Sequence, residues 1–309
     1  MTAEYLTISL ICSEIQMKTI KGLIAAGQAE TEAARRIIRD DAMKRVYKDF
    51  PELRDIDGRI IDIRKDRLIA VIDHDERLAK RYDIEEENLI ARRDRIIKEN
   101  HIDPEFDMEK SICAKCGDTG FVKGKDGTPR VCSCKQSELE ECYESCGLGD
   151  YTSFTMKNYR DDYLGEPEKR SEIKKQMLRV MLGVGDTASK PLWVYSGAPQ
   201  TGKTYLAVIM AKTAISLGKS AFYTKCENLA ALESDTIEDI KRIDFLIIDD
   251  FADDVTLHGD VGSVLNSVLE IRAAAGLCTV LVSALPMADL ISGCDMRVSG
   301  KLGRAGKIS

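Results

Sequence analysis

Gly197-Ala198-Pro199-Gln200-Thr201-Gly202-Lys203-Thr204 fits the pattern G-x-x-x-x-G-K-[ST], and its flanks decide how it reads. Before it, within Ser189 to Ser196, Leu192-Trp193-Val194-Tyr195 is an apolar run of strand length. After it, Tyr205 to Leu217 reads as an alanine-bearing helix. Strand, glycine loop and helix in that order form the context of a phosphate-binding loop. The residue types follow from the chemistry. Gly197 and Gly202 let backbone N–H groups converge on phosphate oxygens. Lys203 brings a positive charge to the β and γ phosphates, Thr204 offers a hydroxyl to Mg²⁺, and the helix N-terminus adds its dipole.

A second stretch, Ile243-Asp244-Phe245-Leu246-Ile247-Ile248-Asp249-Asp250, lies about 45 residues past the lysine. It reads as a hydrophobic strand ending in two carboxylates. In the same parallel sheet as the loop strand, its C-terminal acids would face the bound phosphates. Asp249 would hold Mg²⁺, directly or through water, and Asp250 would orient or deprotonate the attacking water. Together the two stretches predict an α/β P-loop domain that binds a nucleoside triphosphate, with ATP and Mg²⁺ as cofactors.

Composition sets the frame. The 309 residues allow two domains, and 44% apolar against 31% charged residues suffices for a packed core. No apolar run approaches the ~20 residues of a membrane span, and Leu6 to Ile15 lacks the basic lead-in of a signal peptide. Ten cysteines without such a signal point to a reducing cytosol, hence a cytoplasmic protein. A net charge of −7 argues against broad non-specific binding to nucleic acid and leaves room for a local basic face.

Residues 1–110 are rich in charge and poor in glycine. Ile61, Leu68, Val71, Leu78 and Tyr82 follow helical spacing and predict an amphipathic helix or one helix of a coiled coil. Ile84 to Asn100 places Ile90 and Ile97 seven apart, and an earlier helix from about Glu14 to Lys48 should end before Pro51. Such a hairpin serves as a structural stalk or as a docking surface for a partner helix.

Cys113-Ala-Lys-Cys116 and Cys132-Ser-Cys134 are joined by a glycine-bearing segment, within residues 111–146. Two close cysteine pairs on tight turns have the spacing of a Cys₄ zinc site. A dithiol redox site or idle cysteines are the alternatives. Cys142 and Cys146, four apart on the following helix, read as packing or surface residues rather than ligands. Cys12, Cys226, Cys278 and Cys294 are isolated and read as buried. Residues 147–165, with Tyr151, Phe154 and Tyr159, read as a linker packing onto a nucleotide-binding domain that runs over 166–309.

The order of these parts resembles bacterial replicative helicase loaders of the DnaC/DnaI type over nearly the whole chain. The most specific stretch is Cys113-Ala-Lys-Cys116-Gly-Asp-Thr-Gly-Phe121 with Cys132-Ser-Cys134-Lys-Gln136. The resemblance implies an AAA+ ATPase that binds the hexameric replicative helicase through its N-terminal region and single-stranded DNA through its ATPase domain. It also implies self-association on the helicase. Asp249-Asp250 matches the family's metal-binding and water-activating acids, and Arg272 matches a family arginine in the helix Val264 to Ala275.

Three departures bear on catalysis. The strand Thr279 to Ser283 is followed by Ala284 where the resemblance calls for an asparagine, the sensor 1 residue. The segment that would reach a neighbouring subunit's nucleotide reads Arg297-Val-Ser-Gly-Lys301. The finger position is therefore lysine, without the planar fork of arginine. The chain stops at Ser309, before the expected final strand and its sensor 2 arginine. The resulting expectation is a helicase loader with weak ATP hydrolysis. The alternatives are a non-hydrolysing helicase-binding adaptor of a phage or mobile element, or an IstB-like transposition ATPase.

Overall fold

The computed structural model describes residues 18–125, 127–159, 171–173, 175–177, 180, 190–251, 260–294 and 296–308. The described residues open with α1 (Ile20–Ala26), α2 (Gln28–Asp49), α3 (Pro51–Ile72) and α4 (Glu76–Glu99). A small hairpin, β1 (Phe121–Lys123) and β2 (Pro129–Val131), leads into α5 (Gln136–Ser145). The remainder alternates: β3 (Leu192–Ser196), α6 (Lys203–Ser216), β4 (Ala221–Lys225), α7 (Ser234–Ile240) and β5 (Phe245–Asp249). Then come α8 (Asp260–Ala274), β6 (Cys278–Ser283), α9 (Met287–Gly293), α10 (Met296–Leu302) and β7 (Gly306–Ile308). Two compact units result: Gly27–Asp118, and Thr119–Ser309 together with the chain up to Ala26.

In the helical unit, Pro51 opens α3 at a position where its missing N–H costs nothing. The turn after Ile72 is closed by His74 in a left-handed conformation and by Asp75, whose carboxylate caps α4 at Leu78 N (2.9 Å). The stretch from Ile61 to Tyr82 is therefore two helices of a hairpin, not one. Its packing face also differs from the expected one. Leu53, Ile56, Ile60, Ile63 and Ala70 are buried, whereas Ile61, Leu68 and Val71 point outward. Both stripes obey helical spacing, and only the position of the partner helix decides between them. Ion pairs lace the hairpin: Arg59 to Glu85 (2.8 Å), Arg64 to Glu86 (2.7 Å), Arg67 to Asp83 and Arg93 to Asp57 (2.7 Å). The expected helix from Glu14 is interrupted at Gly27, resumes as α2 and ends at Asp49; residues 14–17 lie outside the described ones.

In the second unit, five parallel strands stand in the order β4-β5-β6-β3-β7. This is the α/β class expected from the sequence. Every residue of β5 and β6 is buried, as strands covered on both faces must be. α6 is apolar almost all round, from Leu206 to Ile215, because it lies against the sheet and is itself covered. The fifth strand corrects the expectation that the chain ends before it. Gly306–Ile308 pairs with β3 at Trp193 to Tyr195. A side chain at 306 would put its Cβ 2.3 Å from the Trp193 ring, so this pairing requires glycine. Three residues with glycine first give no alternation to read.

Arg272 on α8 is fully buried. It donates to Thr279 Oγ1 (2.8 Å), Ile240 O (2.7 Å), Ile243 O (2.8 Å) and Cys278 O (2.5 Å). Burial draws its pKa down to about 10, which leaves it charged at neutral pH. Its place is structural, tying α8 and the end of α7 to β6. Arg272→Met is expected to cost about 3–5 kcal/mol, since it strands buried acceptors. An unfolding free energy from urea titration within about 1 kcal/mol of wild type would refute that role.

Candidate functional site

β3 ends at Ser196, and Gly197 N bonds to Ser283 O at the end of β6 (3.3 Å). This anchors the mouth of the phosphate loop to the sheet. Thr201 Oγ1 bonds to Ala198 O (2.9 Å), and positive φ at Gln200 (62°) and Gly202 (77°) turns the chain so that α6 begins at Lys203. Pro199 and Gln200 form the tip of that turn. The Lys203 ammonium is drawn inward onto the carbonyls of Gly197 (2.9 Å) and Ala198 (2.8 Å).

The order of strands places β6 between β3 and β5, so the C-terminal ends of all three converge beside this loop. Asp249 is the last residue of β5 and only 1% exposed. The Thr204 side chain favours its ionised form. Its Oδ1 accepts from Asp250 N (2.9 Å) and its Oδ2 from Tyr223 Oη (2.8 Å). Burial raises the Asp249 pKa, and the hydrogen bonds from Tyr223 and the Asp250 amide oppose that shift, as does Thr204. A buried carboxylate with a threonine hydroxyl at a helix start is a donor set suited to a hard divalent cation such as Mg²⁺.

Asp250 has a positive φ (51°), which turns its carboxylate out of the strand direction toward Lys225 Nζ at 2.9 Å. That contact holds the Lys225 pKa above the ordinary lysine value. Tyr223 and Lys225, both on β4, are parts of the site that the sequence reading missed. Ala284 follows the last residue of β6, at the position read as sensor 1, where a methyl group offers no hydrogen bond. The neighbouring Ser283 hydroxyl accepts from Leu285 N (3.1 Å).

Arg297 and Lys301 lie on α10, away from the loop. With Arg304, Glu270, Pro191 and Leu192 they surround a cleft of about 860 Å³ near the start of β3, at the opposite end of that strand from the phosphate loop. Lys301 Nζ donates to Asn266 Oδ1 (2.8 Å), so its position is set within its own subunit.

The cysteine region forms two tight turns. Gly117 N bonds to Cys113 O (2.9 Å), and Lys135 N bonds to Cys132 O (2.9 Å). The Asp118 carboxylate organises the first turn by accepting from Cys113 N (2.8 Å) and Ile112 N (3.0 Å). The sulfurs of Cys113, Cys116, Cys132 and Cys134 all lie within 4.8 Å of one another. Thiolates about 2.3 Å from one tetrahedral zinc would stand roughly 3.8 Å apart, so this set fits that ion. Cys142 and Cys146 are buried packing residues outside the cluster, their sulfurs 3.8 Å apart. Cys226 and Cys278 are buried, Cys294 is half-buried, and Cys12 lies outside the described residues.

No protein-family model and no curated protein matches the sequence. Among solved structures, the chain is similar to AMPPCP-bound DnaA from Aquifex aeolicus, with 17% identity and a TM-score of 0.43 over 51% of this chain and 50% of that one. It is similar to DnaI, with 17% identity and a TM-score of 0.39 over 49% of this chain and 95% of that one. It is also similar to a putative primosome component from Streptococcus pyogenes serotype M3, with 22% identity and a TM-score of 0.40 over 52% and 87%. The match spans about half the length of the DnaA chain. No helix among the described residues is long and apolar enough to cross a membrane.

Proposed function

We propose that this chain is an ATP-binding helicase loader in DNA replication. On this reading it engages the replicative helicase through its helical unit and single-stranded DNA through its nucleotide-binding unit. The observation that supports it most is the buried Asp249 carboxylate at the end of β5, in the same sheet as the loop whose Lys203 and Thr204 open α6. The loop amides and the Lys203 ammonium bind the phosphates, the ammonium exchanging two loop carbonyls for phosphate oxygens. Thr204 and Asp249 are the residues that hold Mg²⁺, which when bound supplies positive charge to the phosphate oxygens. Asp250, paired with Lys225, orients the attacking water. Zinc is the ion proposed for the cysteine cluster, in a structural role.

The helical unit offers an apolar surface for the partner. Leu68 (61% exposed), Ile69 (56%) and Ile72 (67%) cluster at the end of α3. Pull-down of the host replicative helicase by the full chain, with and without ATP, tests the reading. Leu68→Asp with Ile72→Asp is expected to reduce capture at least about 10-fold, as loss of two interface anchors would. Nucleotide binding should be unaffected. Capture unchanged by this pair of substitutions would overturn the docking assignment.

A second reading, a non-hydrolysing adaptor that occupies the helicase without completing a cycle, is favoured by Ala284 and by the hydrogen bond between Lys301 and Asn266. The two readings part on turnover, considered in the Discussion.

A further inference from the structure

Asp249 is braced from behind by side chains that the phosphate loop does not supply. Tyr223, 4% exposed on the edge strand β4, donates its hydroxyl to Asp249 Oδ2. Its single proton is thereby used, so the contact between the Tyr223 and Tyr151 hydroxyls (3.2 Å) has Tyr151 as donor. The two rings meet edge to face, with centroids 5.0 Å apart. The result is a directed chain, Tyr151 to Tyr223 to Asp249.

Tyr151 belongs to a strap, residues 147–155, that follows α5. The strap is fastened to α6. Lys212 Nζ donates to the carbonyls of Tyr151 (2.5 Å), Thr152 (2.9 Å) and Phe154 (3.3 Å). Tyr205, next to Thr204, donates to Thr155 O (2.9 Å) and accepts from Thr155 N (3.0 Å), while Phe154 stacks on its ring at 4.2 Å. The strap is also fastened to β4. Tyr223 N donates to Cys146 O (2.9 Å), and a Cβ at Gly147 would lie 2.1 Å from Tyr223 O. Phenylalanine at 223 would fill the same volume. A buried phenol in this place has a use only through its hydroxyl, which fixes one oxygen of Asp249 while the Asp250 amide fixes the other.

We propose that Tyr223 is the positioning residue for the Asp249 carboxylate and that the Tyr151–Tyr223–Asp249 relay couples Mg²⁺-nucleotide binding to ordering of the strap 147–155. This rests on the nucleotide reading of the site. Hydrogen bonds behind a metal-ligating carboxylate set its orientation, and losing one typically costs about 10–100-fold in metal affinity. Coupling is reciprocal, so whatever orders Asp249 for the ion is itself ordered by the ion.

The test uses the full chain as wild type, Tyr223→Phe and Tyr151→Phe. A fluorescent ATP analogue is titrated in Mg²⁺ and in EDTA, and amide hydrogen exchange is followed over residues 147–158. In wild type, Mg²⁺ should tighten binding and the Mg²⁺-nucleotide complex should protect the strap. Tyr223→Phe should lose about 10-fold or more of the Mg²⁺ enhancement, keep its affinity in EDTA and lose strap protection. Tyr151→Phe, which leaves the bond to Asp249 intact, should keep most of the enhancement, losing only the part that comes from the strap, and lose the protection.

An unchanged Mg²⁺ enhancement in Tyr223→Phe overturns the positioning role. Strap protection that persists in Tyr151→Phe overturns the coupling, and this arm decides even if Tyr223→Phe does not fold. A wild type that binds no nucleotide removes the proposed function, and this inference with it.

Discussion

Lys203→Ala is expected to abolish measurable Mg·ATP binding, whereas Asp250→Asn keeps binding and loses what hydrolysis there is. The two residues act at different stages. Lys203 contributes a ground-state contact, an ammonium already positioned over the loop by the Gly197 and Ala198 carbonyls. Asp250 contributes only when a water must be oriented, and the Lys225 ammonium stands 2.9 Å from its carboxylate. Turnover of the wild type is expected to fall well below the usual ~1–10³ s⁻¹ of enzymes. The transition state gathers charge that a finger arginine would meet, an effect worth roughly 10³–10⁵ in rate. Lys301 presents a point charge, and Asn266 of its own subunit already engages it. Lys301→Arg should therefore raise the rate if a neighbouring subunit presents this position to the nucleotide. Nucleotide titration and phosphate release, with and without helicase and single-stranded DNA, measure both terms. A rate typical of active ATPases would assign the finger role to Arg297, Arg304 or another residue and retire the adaptor reading.

The parts of this site that could be read from sequence are those adjacent in the chain. Gly197 to Thr204 carries its own geometry, and Asp249-Asp250 is marked by the apolar strand before it. Tyr223 and Lys225 carry no such mark, because Ala221 to Lys225 looks like any short strand. They reach the acids only because β4 pairs with β5 in a register that sets Lys225 beside Asp249. Strand pairing between segments so far apart is a property of the sheet, not of either segment. The same limit explains Arg272, which resembles a functional arginine in sequence and is buried under carbonyls in the fold. On α3, two apolar stripes satisfy one periodicity, and burial selects the stripe that includes Ile56 and Ile63 over the one that includes Ile61 and Leu68. The aromatic linker was legible as a packing segment from Tyr151 and Phe154. Its hold on Lys212, Tyr205 and Tyr223 was not.

Purified protein is expected to carry about one zinc per chain, and Cys116→Ser with Cys134→Ser should abolish it. The argument is one of size. The segment around the cysteines has a three-residue hairpin, β1 and β2, with side chains mostly half-buried or exposed, so little apolar burial can hold the two turns in place. Their form is set locally, by the backbone bonds at Gly117 and Lys135 and by the Asp118 carboxylate on Cys113 N. Those bonds pre-shape each turn but do nothing to keep four thiols, which repel one another once ionised, within 4.8 Å. A divalent ion does both, since it draws the thiols into the thiolate form and binds all four. In small zinc modules that binding supplies about 10–16 kcal/mol near neutral pH, and it appears as folding free energy because the unfolded chain has no preformed site. Chelation should therefore lower the unfolding midpoint of wild type and leave that of the double variant unchanged. The substitutions remove one cysteine from each turn, so neither remaining pair can complete the site alone. Metal content that survives both substitutions would show that the ligands lie elsewhere.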